Sequence, residues 1–267
     1  MLKKCFGIIS WLPDKNPDRK LREDRVNRLF NQLNNLWPDI DILVIAQNWQ
    51  DFKPIDTKNN KIILNYKPLG ILQARKTLRS EFLKLDYDYI IMFDDDAIIK
   101  CDNDHAHIDF MNEVDAHPDG FCFIHGQNSR YHPYTAAQLN LCAISRFIYE
   151  KEDIVNVDPQ KREGYEDSIY ACLLHNKWGK YEFDPPKTIR HIQYCNSNEK
   201  APSTWHDNAR AKGSLGHMNR NTDRIQEYIV AHKELPDNLS DYLEVPPAKQ
   251  DPRQGPRAYN SYIDLFI

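Results

Sequence analysis

The sequence predicts an α/β domain with a mainly parallel sheet flanked by helices. Strand, helix, strand, strand, helix and strand follow one another up to Asp94, and this alternation favours a parallel sheet whose covering helices make right-handed connections. The apolar run at residues 89–93 is typical of a buried strand. That run stops at Asp94, Asp95 and Asp96, and open α/β sheets bind ligands beyond the carboxyl ends of their strands.

The composition fits a globular domain and gives no sign of a nucleic-acid-binding or membrane-spanning protein. The 267 residues fit one large α/β domain or a domain with an appendage, and 41% hydrophobic residues suffice for a core. A formal charge of −4 gives no basic excess for nucleic acid. No apolar run approaches the roughly 18 residues of a membrane span. Pro13 interrupts the short apolar run that follows Lys3 and Lys4, which predicts a first strand and not a signal peptide.

Cysteine usage predicts a cytoplasmic protein with reduced thiols. The six cysteines form no Cys-x-x-Cys pair, and most lie within apolar segments. Buried free thiols are therefore favoured over a zinc site or a disulfide framework.

The first half of the chain supplies the opening strands and helices. Strands are predicted at residues 5–11, 41–46 and 61–64. An amphipathic helix is predicted before Pro38, because apolar side chains recur at three- and four-residue steps: Val26, Leu29, Phe30, Leu33, Leu36 and Trp37. Gly70 opens a second helix with an apolar inner face, and three basic residues are predicted on its other faces: Arg75, Lys76 and Arg79.

A charged segment, residues 14–24, separates the first strand from the first helix. Our interpretation is a solvated loop that leads into the helix start. The alternative is a flexible loop beside a phosphate site.

The second half of the chain continues the pattern. Strands are predicted at residues 121–125, 141–145, 181–183 and 188–193. A helix begins at Glu166 and Asp167 and ends before Gly179, a predicted C-cap. Carboxylates in a first helical turn are stabilised as anions, which suits either a simple helix start or a general base. The polar, aromatic loop 126–134 is a candidate acceptor site.

The end of the chain divides into a helix and an arm. The last helix is predicted at residues 222–235, which closes a domain of residues 1–235. The proline-rich tail, residues 236–267, is predicted to be an extended arm. Its aromatic end predicts docking on its own domain or on a partner, including a second copy of the chain.

In this order the elements resemble the GT-A family of nucleotide-sugar-dependent glycosyltransferases, in a form similar to family 2. The resemblance covers roughly residues 3–235. The family's Asp-x-Asp strand end is matched by Asp94-Asp95-Asp96, and its later Glu-Asp motif by Glu166-Asp167. The resemblance implies a metal-dependent hexosyltransferase that moves a sugar from a nucleotide-sugar, with UDP expected, to a glycan hydroxyl with inversion. Polysaccharide biosynthesis would be its setting.

The resemblance also implies a metal site. Asp96 would coordinate Mn²⁺ or Mg²⁺ across the donor diphosphate, while Asp94 and Asp95 would contact the ribose and assist at the metal. A metal-binding histidine is expected after the last strand of the sheet. His191 matches best by position, and His206 is the second choice.

Further roles follow from the same resemblance. Nucleotide recognition would fall to two strand ends and one helix, at Ser10, Trp11, Pro13, Gln47, Arg75 and Lys76. Asp167 would be the general base that deprotonates the acceptor, and Glu166 would orient the acceptor. The segment 196–217 would close over the donor.

Two other functions remain open on the sequence alone. A sugar-phosphate nucleotidyltransferase would share the fold, but it would need a glycine-rich loop after the first strand, and residues 10–19 contain no glycine. A non-catalytic module that binds carbohydrate or a partner through the aromatic tail is the other alternative.

Overall fold

The computed structural model describes residues 2–12, 18–101, 104–123, 141–154, 166–179, 189–191 and 215–242. The strands in these ranges are β1 (Lys4–Trp11), β2 (Asp41–Gln47), β3 (Lys61–Tyr66), β4 (Tyr89–Asp94), β5 (Ile99–Cys101), β6 (Phe121–Phe123), β7 (Leu141–Ser145) and β8 (Ile189–His191). The helices are α1 (Asp18–Leu36), α2 (Ile71–Lys84), α3 (Ala106–Ala116), α4 (Arg146–Lys151), α5 (Glu166–Trp178) and α6 (Leu215–His232), followed by a 3₁₀ turn (Leu239–Tyr242).

The main sheet has six strands in the order β3-β2-β1-β4-β7-β6. The first four are parallel, β7 is antiparallel to β4, and β6 is antiparallel to β7. This confirms the predicted α/β architecture with a mainly parallel sheet flanked by helices. Strand order runs outward from β1 to β3 on one side and jumps to β4 on the other, so the switch point of the sheet lies between β1 and β4.

Helices cover both faces of this sheet. Neighbouring strand residues face opposite sides, and β1 shows this directly, since Phe6 and Cys5 belong to different core clusters. The Phe6 cluster includes side chains of α1 and α3, such as Leu29 and Phe110. The other cluster includes side chains of α2, α4 and α5. Crossovers on opposite faces place α1 beside the switch point.

Helix α1 begins at Asp18, inside the charged segment 14–24. Two i,i+4 ion pairs support its first turns, Arg19 with Glu23 and Lys20 with Asp24. Residues 18–24 of the charged segment are therefore helix, in agreement with the helix start predicted within that segment. Residues 13–17 lie outside the described chain.

Two helices were not predicted, and one face was predicted wrongly. Helix α3 buries Ala106, Phe110 and Val114, a four-residue spacing that is a helical signal. Helix α4 is only six residues long, too short for a periodic pattern. Arg75 lies on the inner face of α2 and is buried, although we predicted it on another face.

The second half of the chain is described in part. The predicted strand at 188–193 is observed as β8, which pairs antiparallel with β5 in a separate two-stranded sheet. Helix α5 begins at Glu166, as predicted. It ends before Gly179, where a Cβ atom would lie 2.3 Å from the His175 carbonyl oxygen. The predicted strand at 181–183 and the loop 126–134 lie outside the described residues.

The start of the predicted arm packs against the preceding helix. In the 3₁₀ turn, the Tyr242 ring lies 5.7 Å from the ring of Tyr228 on α6. Residues 243–267 lie outside the described chain, so the extended arm and its docking stay predictions. In the part of the chain that the structure describes, no helix has the length and apolarity needed to cross a membrane.

Candidate functional site

The carboxyl ends of the parallel strands bring several predicted site residues to one edge of the sheet. Ile9 on β1 is the register partner of Asp94 on β4. Trp11 on β1 is the partner of Gln47 on β2. Asp94 is therefore the last residue of β4, and Asp95 and Asp96 follow it beside the end of β1, at the switch point where open α/β sheets bind ligands.

A tight turn separates the three carboxylates. The Ala97 N–H donates to the Asp94 carbonyl oxygen at 3.0 Å, so the chain reverses at Asp95 and Asp96. Asp95 is buried, whereas Asp94 and Asp96 are half-buried. The turn gives neighbouring carboxylates different partners.

Asp95 is tied to two other elements. The Ser10 hydroxyl on β1 donates to Asp95 Oδ2 at 2.6 Å, and Arg22 on α1 donates to Asp95 Oδ1 at 3.0 Å. Ser10 in turn accepts a hydrogen bond from the Trp49 indole at 3.3 Å. Two predicted nucleotide contacts, Ser10 and Asp95, thus bind each other.

Asp96 lies in a strongly negative environment. Burial, followed by the charges of Asp95 and Asp94, raises the pKa of Asp96 to about 6. Arg22 and Arg25 lower that pKa, and Arg25 Nη1 lies 3.7 Å from Asp96 Oδ2. The two arginines compensate the carboxylates only in part.

The charges of Asp94 and Arg75 both act on the Cys142 thiol of β7. Burial raises the pKa of Cys142, the charge of Arg75 lowers it, and that of Asp94 raises it. Arg75 is 6% exposed, and its neighbour Lys76 is half-buried. Arg75 therefore reaches the interior beside the end of β4, while Lys76 lies nearer the surface.

Gln47 and Asn48 join the loops at this edge. Gln47 Oε1 accepts from the Leu69 N–H at 2.7 Å, just before α2. The Asn48 side chain donates to the Leu12 carbonyl at 2.7 Å, and Asn48 adopts a left-handed backbone with φ 62°. Arg19 on α1 donates to the Asn48 carbonyl at 3.2 Å. The Gln47 side chain thus holds the loop before α2 in place, and it also lies at the predicted nucleotide site.

The remaining predicted site residues are described in part or not at all. His191 on β8 is the register partner of Ile99 on β5, so the second sheet pairs it with a residue three positions after Asp96 in the chain. Glu166 and Asp167 form the first turn of α5. The side chains of these three residues, together with all of Pro13, His206 and residues 196–214, lie outside the described part of the chain. Residues 215–217, the end of the segment expected to close over the donor, belong to α6.

Arg22 and Arg25 are the site residues that sequence reasoning missed. Three adjacent carboxylates need a positive charge nearby, and in the sequence analysis we assigned that charge to a metal ion alone. The signal was a pair of arginines three residues apart in a segment with i,i+4 charge pairs, which is typical of one helix face.

The chemistry of the carboxylates fits a hard divalent cation. Oxygen donors suit Mg²⁺ and Mn²⁺. The pKa of Asp96 is raised first by burial and then by the charges of Asp95 and Asp94, which Arg22 and Arg25 oppose. Among the described residues, no three His, Cys, Asp or Glu side chains are grouped to hold a metal. The protein would therefore supply one or two carboxylates, with phosphate oxygens and water completing the shell, as Mg²⁺ commonly requires.

No protein-family model matches the sequence, and no curated protein sequence matches it. One similar solved structure is S. aureus TarS 1–349 in complex with UDP-GlcNAc, with 11% identity, a TM-score of 0.48, and coverage of 89% of this chain and 69% of that chain. Another is a glycosyltransferase involved in glycosylation of the major capsid of PBCV-1, with 11% identity, a TM-score of 0.43, and coverage of 72% and 94%.

A third similar structure is a putative glucose-1-phosphate thymidylyltransferase from Bacillus anthracis. It has 11% identity and a TM-score of 0.43, and the match covers 67% of this chain and 87% of that chain. At such identities and TM-scores, these likenesses assign no activity to this chain.

Proposed function

We propose that the chain is a metal-dependent glycosyltransferase that moves a sugar from a UDP-sugar to a glycan hydroxyl, with inversion at the sugar carbon. The observation that carries the proposal is the location of Asp94, Asp95 and Asp96. They lie at the carboxyl end of β4, at the switch point of a mainly parallel sheet, and the middle one, Asp95, accepts a hydrogen bond from Ser10 at the end of β1. Ligands of open α/β sheets bind at that place.

The carboxylates support the metal part of the proposal. Asp96 and Asp94 would hold Mn²⁺ or Mg²⁺, because they are half-buried and concentrate negative charge. His191, or His206 as second choice, would be a further ligand. When bound, the cation would supply Lewis-acid stabilisation to the departing diphosphate.

The start of α5 supports the acid–base part. Asp167 would accept the proton of the acceptor hydroxyl while the acceptor oxygen bonds to the sugar carbon and the bond to the diphosphate breaks. Glu166 would orient the acceptor. Both residues lie in the first helical turn, where unpaired N–H groups and the helix dipole favour the anionic form that a base needs.

The donor's nucleoside would lie along the strand ends. Ser10, Trp11 and Gln47 share that edge of the sheet, and Pro13 follows β1 in sequence. Arg75 and Lys76 near the start of α2 would add positive charge for the phosphates.

A thermal-unfolding panel tests the proposal. The full chain is heated with Mn²⁺ and each of a set of UDP-, GDP- and dTDP-sugars, because a ligand of the native state raises the midpoint. We expect a UDP-sugar to stabilise the protein, with the effect lost in EDTA and in Asp96→Asn. Asp104→Asn, which removes an exposed carboxylate, is the matched control and keeps the effect.

Transfer is then measured as UDP release with a panel of glycan acceptors. If no nucleotide-sugar raises the midpoint in the presence of Mn²⁺, the glycosyltransferase proposal is wrong. Pyrophosphate release from a nucleoside triphosphate and a sugar phosphate would instead establish the nucleotidyltransferase.

A further inference from the structure

The middle aspartate of the triplet is placed differently from its neighbours. Asp95 is 6% exposed, whereas Asp94 and Asp96 are half-buried. The turn closed by the Ala97 N–H directs successive side chains to different surroundings. The difference in burial therefore indicates that the three carboxylates have different roles.

Each carboxylate oxygen of Asp95 already accepts a hydrogen bond from the protein. Ser10 donates to one oxygen at 2.6 Å, and Arg22 donates to the other at 3.0 Å. Ser10 is 1% exposed and is itself held by the Trp49 indole. A covered carboxylate with both oxygens engaged is poorly placed to bind a ligand, but well placed to orient Arg22.

Arg22 is the member of this group that solvent reaches. Its side chain is 25% exposed, against 8% for that of Asp95. A guanidinium carries five N–H donors in a planar fork, so the bond to Asp95 leaves donors for an anion. Arginine binds phosphate oxygens with this geometry better than a lysine does.

We propose that Asp95 is a positioning residue that binds neither the metal nor the nucleoside and acts through Arg22, which it holds beside Asp94 and Asp96 to contact the diphosphate of the donor. The identity of the anion rests on the proposed function. Ser10 belongs to the same unit, because it fixes the second oxygen of Asp95.

Two probes test the proposal on the full chain by calorimetry: inorganic pyrophosphate without metal, and UDP with Mn²⁺. We expect Arg22→Gln to raise both dissociation constants about ten- to a hundredfold, the usual effect of losing a charge-assisted hydrogen bond. Lys20→Gln is the matched control, because Lys20 has the same charge on α1 but is exposed. It should leave both constants unchanged.

The sign of the effect of Asp95→Ala on pyrophosphate binding distinguishes a positioning role from a purely electrostatic one. Removing a negative charge beside an anion site would by itself tighten binding. Loss of the orienting contact to Arg22 should instead weaken it, and Asp95→Asn, which keeps an acceptor oxygen, should recover part of the loss. The double variant Arg22→Gln with Asp95→Ala should bind no more weakly than Arg22→Gln alone, because the two residues act as one unit.

Manganese occupancy, measured by electron paramagnetic resonance at saturating UDP, separates the aspartates. Asp95→Asn should retain the bound Mn²⁺ and Asp96→Asn should lose it. Equal loss in both variants would make Asp95 a metal ligand and overturn the inference. Unchanged or tighter pyrophosphate binding in Asp95→Ala would also overturn it. If Asp95→Ala does not fold, unchanged pyrophosphate binding in Arg22→Gln would overturn the inference instead.

Failure of the proposed function gives a different pattern. If the wild-type chain binds pyrophosphate through Arg22 but binds no nucleoside diphosphate with Mn²⁺, the role of Arg22 as an anion contact stands and the glycosyltransferase proposal falls. If the wild-type chain binds neither probe, both proposals are wrong.

Discussion

Replacing Asp96 by asparagine should stabilise the metal-free protein. The pKa of Asp96 rises from 3.8 to about 6 because the carboxyl is buried and lies beside Asp95 and Asp94. A carboxyl with a raised pKa in the folded state disfavours folding once it is ionised, at about 1.4 kcal/mol per pKa unit. The shift therefore costs about 3 kcal/mol above pH 6, and asparagine removes that cost.

The opposing charge of Arg25, whose Nη1 lies 3.7 Å from Asp96 Oδ2, is already included in the pKa of about 6. The expected gain at pH 8 is therefore the full difference of about 3 kcal/mol, equivalent to about 6–12 °C in a chain of this size. By proton linkage, the gain should fall to about half at pH 5 and vanish below about pH 4.

The assay is urea unfolding in EDTA at pH 8 and pH 5, with Asp95→Asn as the neighbouring control. That variant removes the same charge and also one of the two oxygens that accept hydrogen bonds from Ser10 and Arg22, so it should be destabilised by about 1–3 kcal/mol. A loss of stability in Asp96→Asn at pH 8, or a gain that does not change with pH, would refute the reasoning.

Three further predictions concern the chemistry and the scaffold. Asp167→Asn should keep UDP affinity and lower turnover by about two to four orders of magnitude, as steady-state kinetics would show; a near-normal rate removes Asp167 from the mechanism. Incubation with a nucleoside triphosphate and a sugar phosphate should release no pyrophosphate above the blank. Arg146 donates to the Leu83 carbonyl at 3.1 Å and also to the Leu85 carbonyl, at the end of α2. Arg146→Met should therefore lower the free energy of unfolding by about 2–3 kcal/mol in urea titrations, whereas exposed Lys84→Met should change it by under about 0.5 kcal/mol.

Much of the fold was predictable because its signals are local. The apolar runs of β1, β2, β3, β4 and β7 and the three- and four-residue spacing of α1 and α2 lie within single segments. Gly70 was predicted to open α2, and it is the N-cap residue with φ 76°. Of the two helices missed, α4 is too short, at six residues, for a periodic pattern, whereas the four-residue spacing of α3 was a local signal that was overlooked.

The candidate site was predictable only in outline. The aspartates were located at a strand end because apolar residues stop there abruptly. The burial of Arg75 was missed because charge was weighed above its position, three residues before Leu78 and one after Ala74 on the inner face. Side chains of Glu166, Asp167 and His191 lie outside the described part of the chain, so their roles stay predictions.

The sequence by itself determined the strand that ends in three carboxylates, and with it the concentration of negative charge that needs a counter-charge. Tertiary structure alone decided how that charge is divided. Arg22 and Ser10 reach Asp95 from 73 and 85 positions away in the chain, through the parallel pairing of β1 with β4 and the packing of α1 beside the switch point. Local patterns carry no information about such pairs, because the hydrogen bonds form only when the crossover connections bring distant strand and helix ends together.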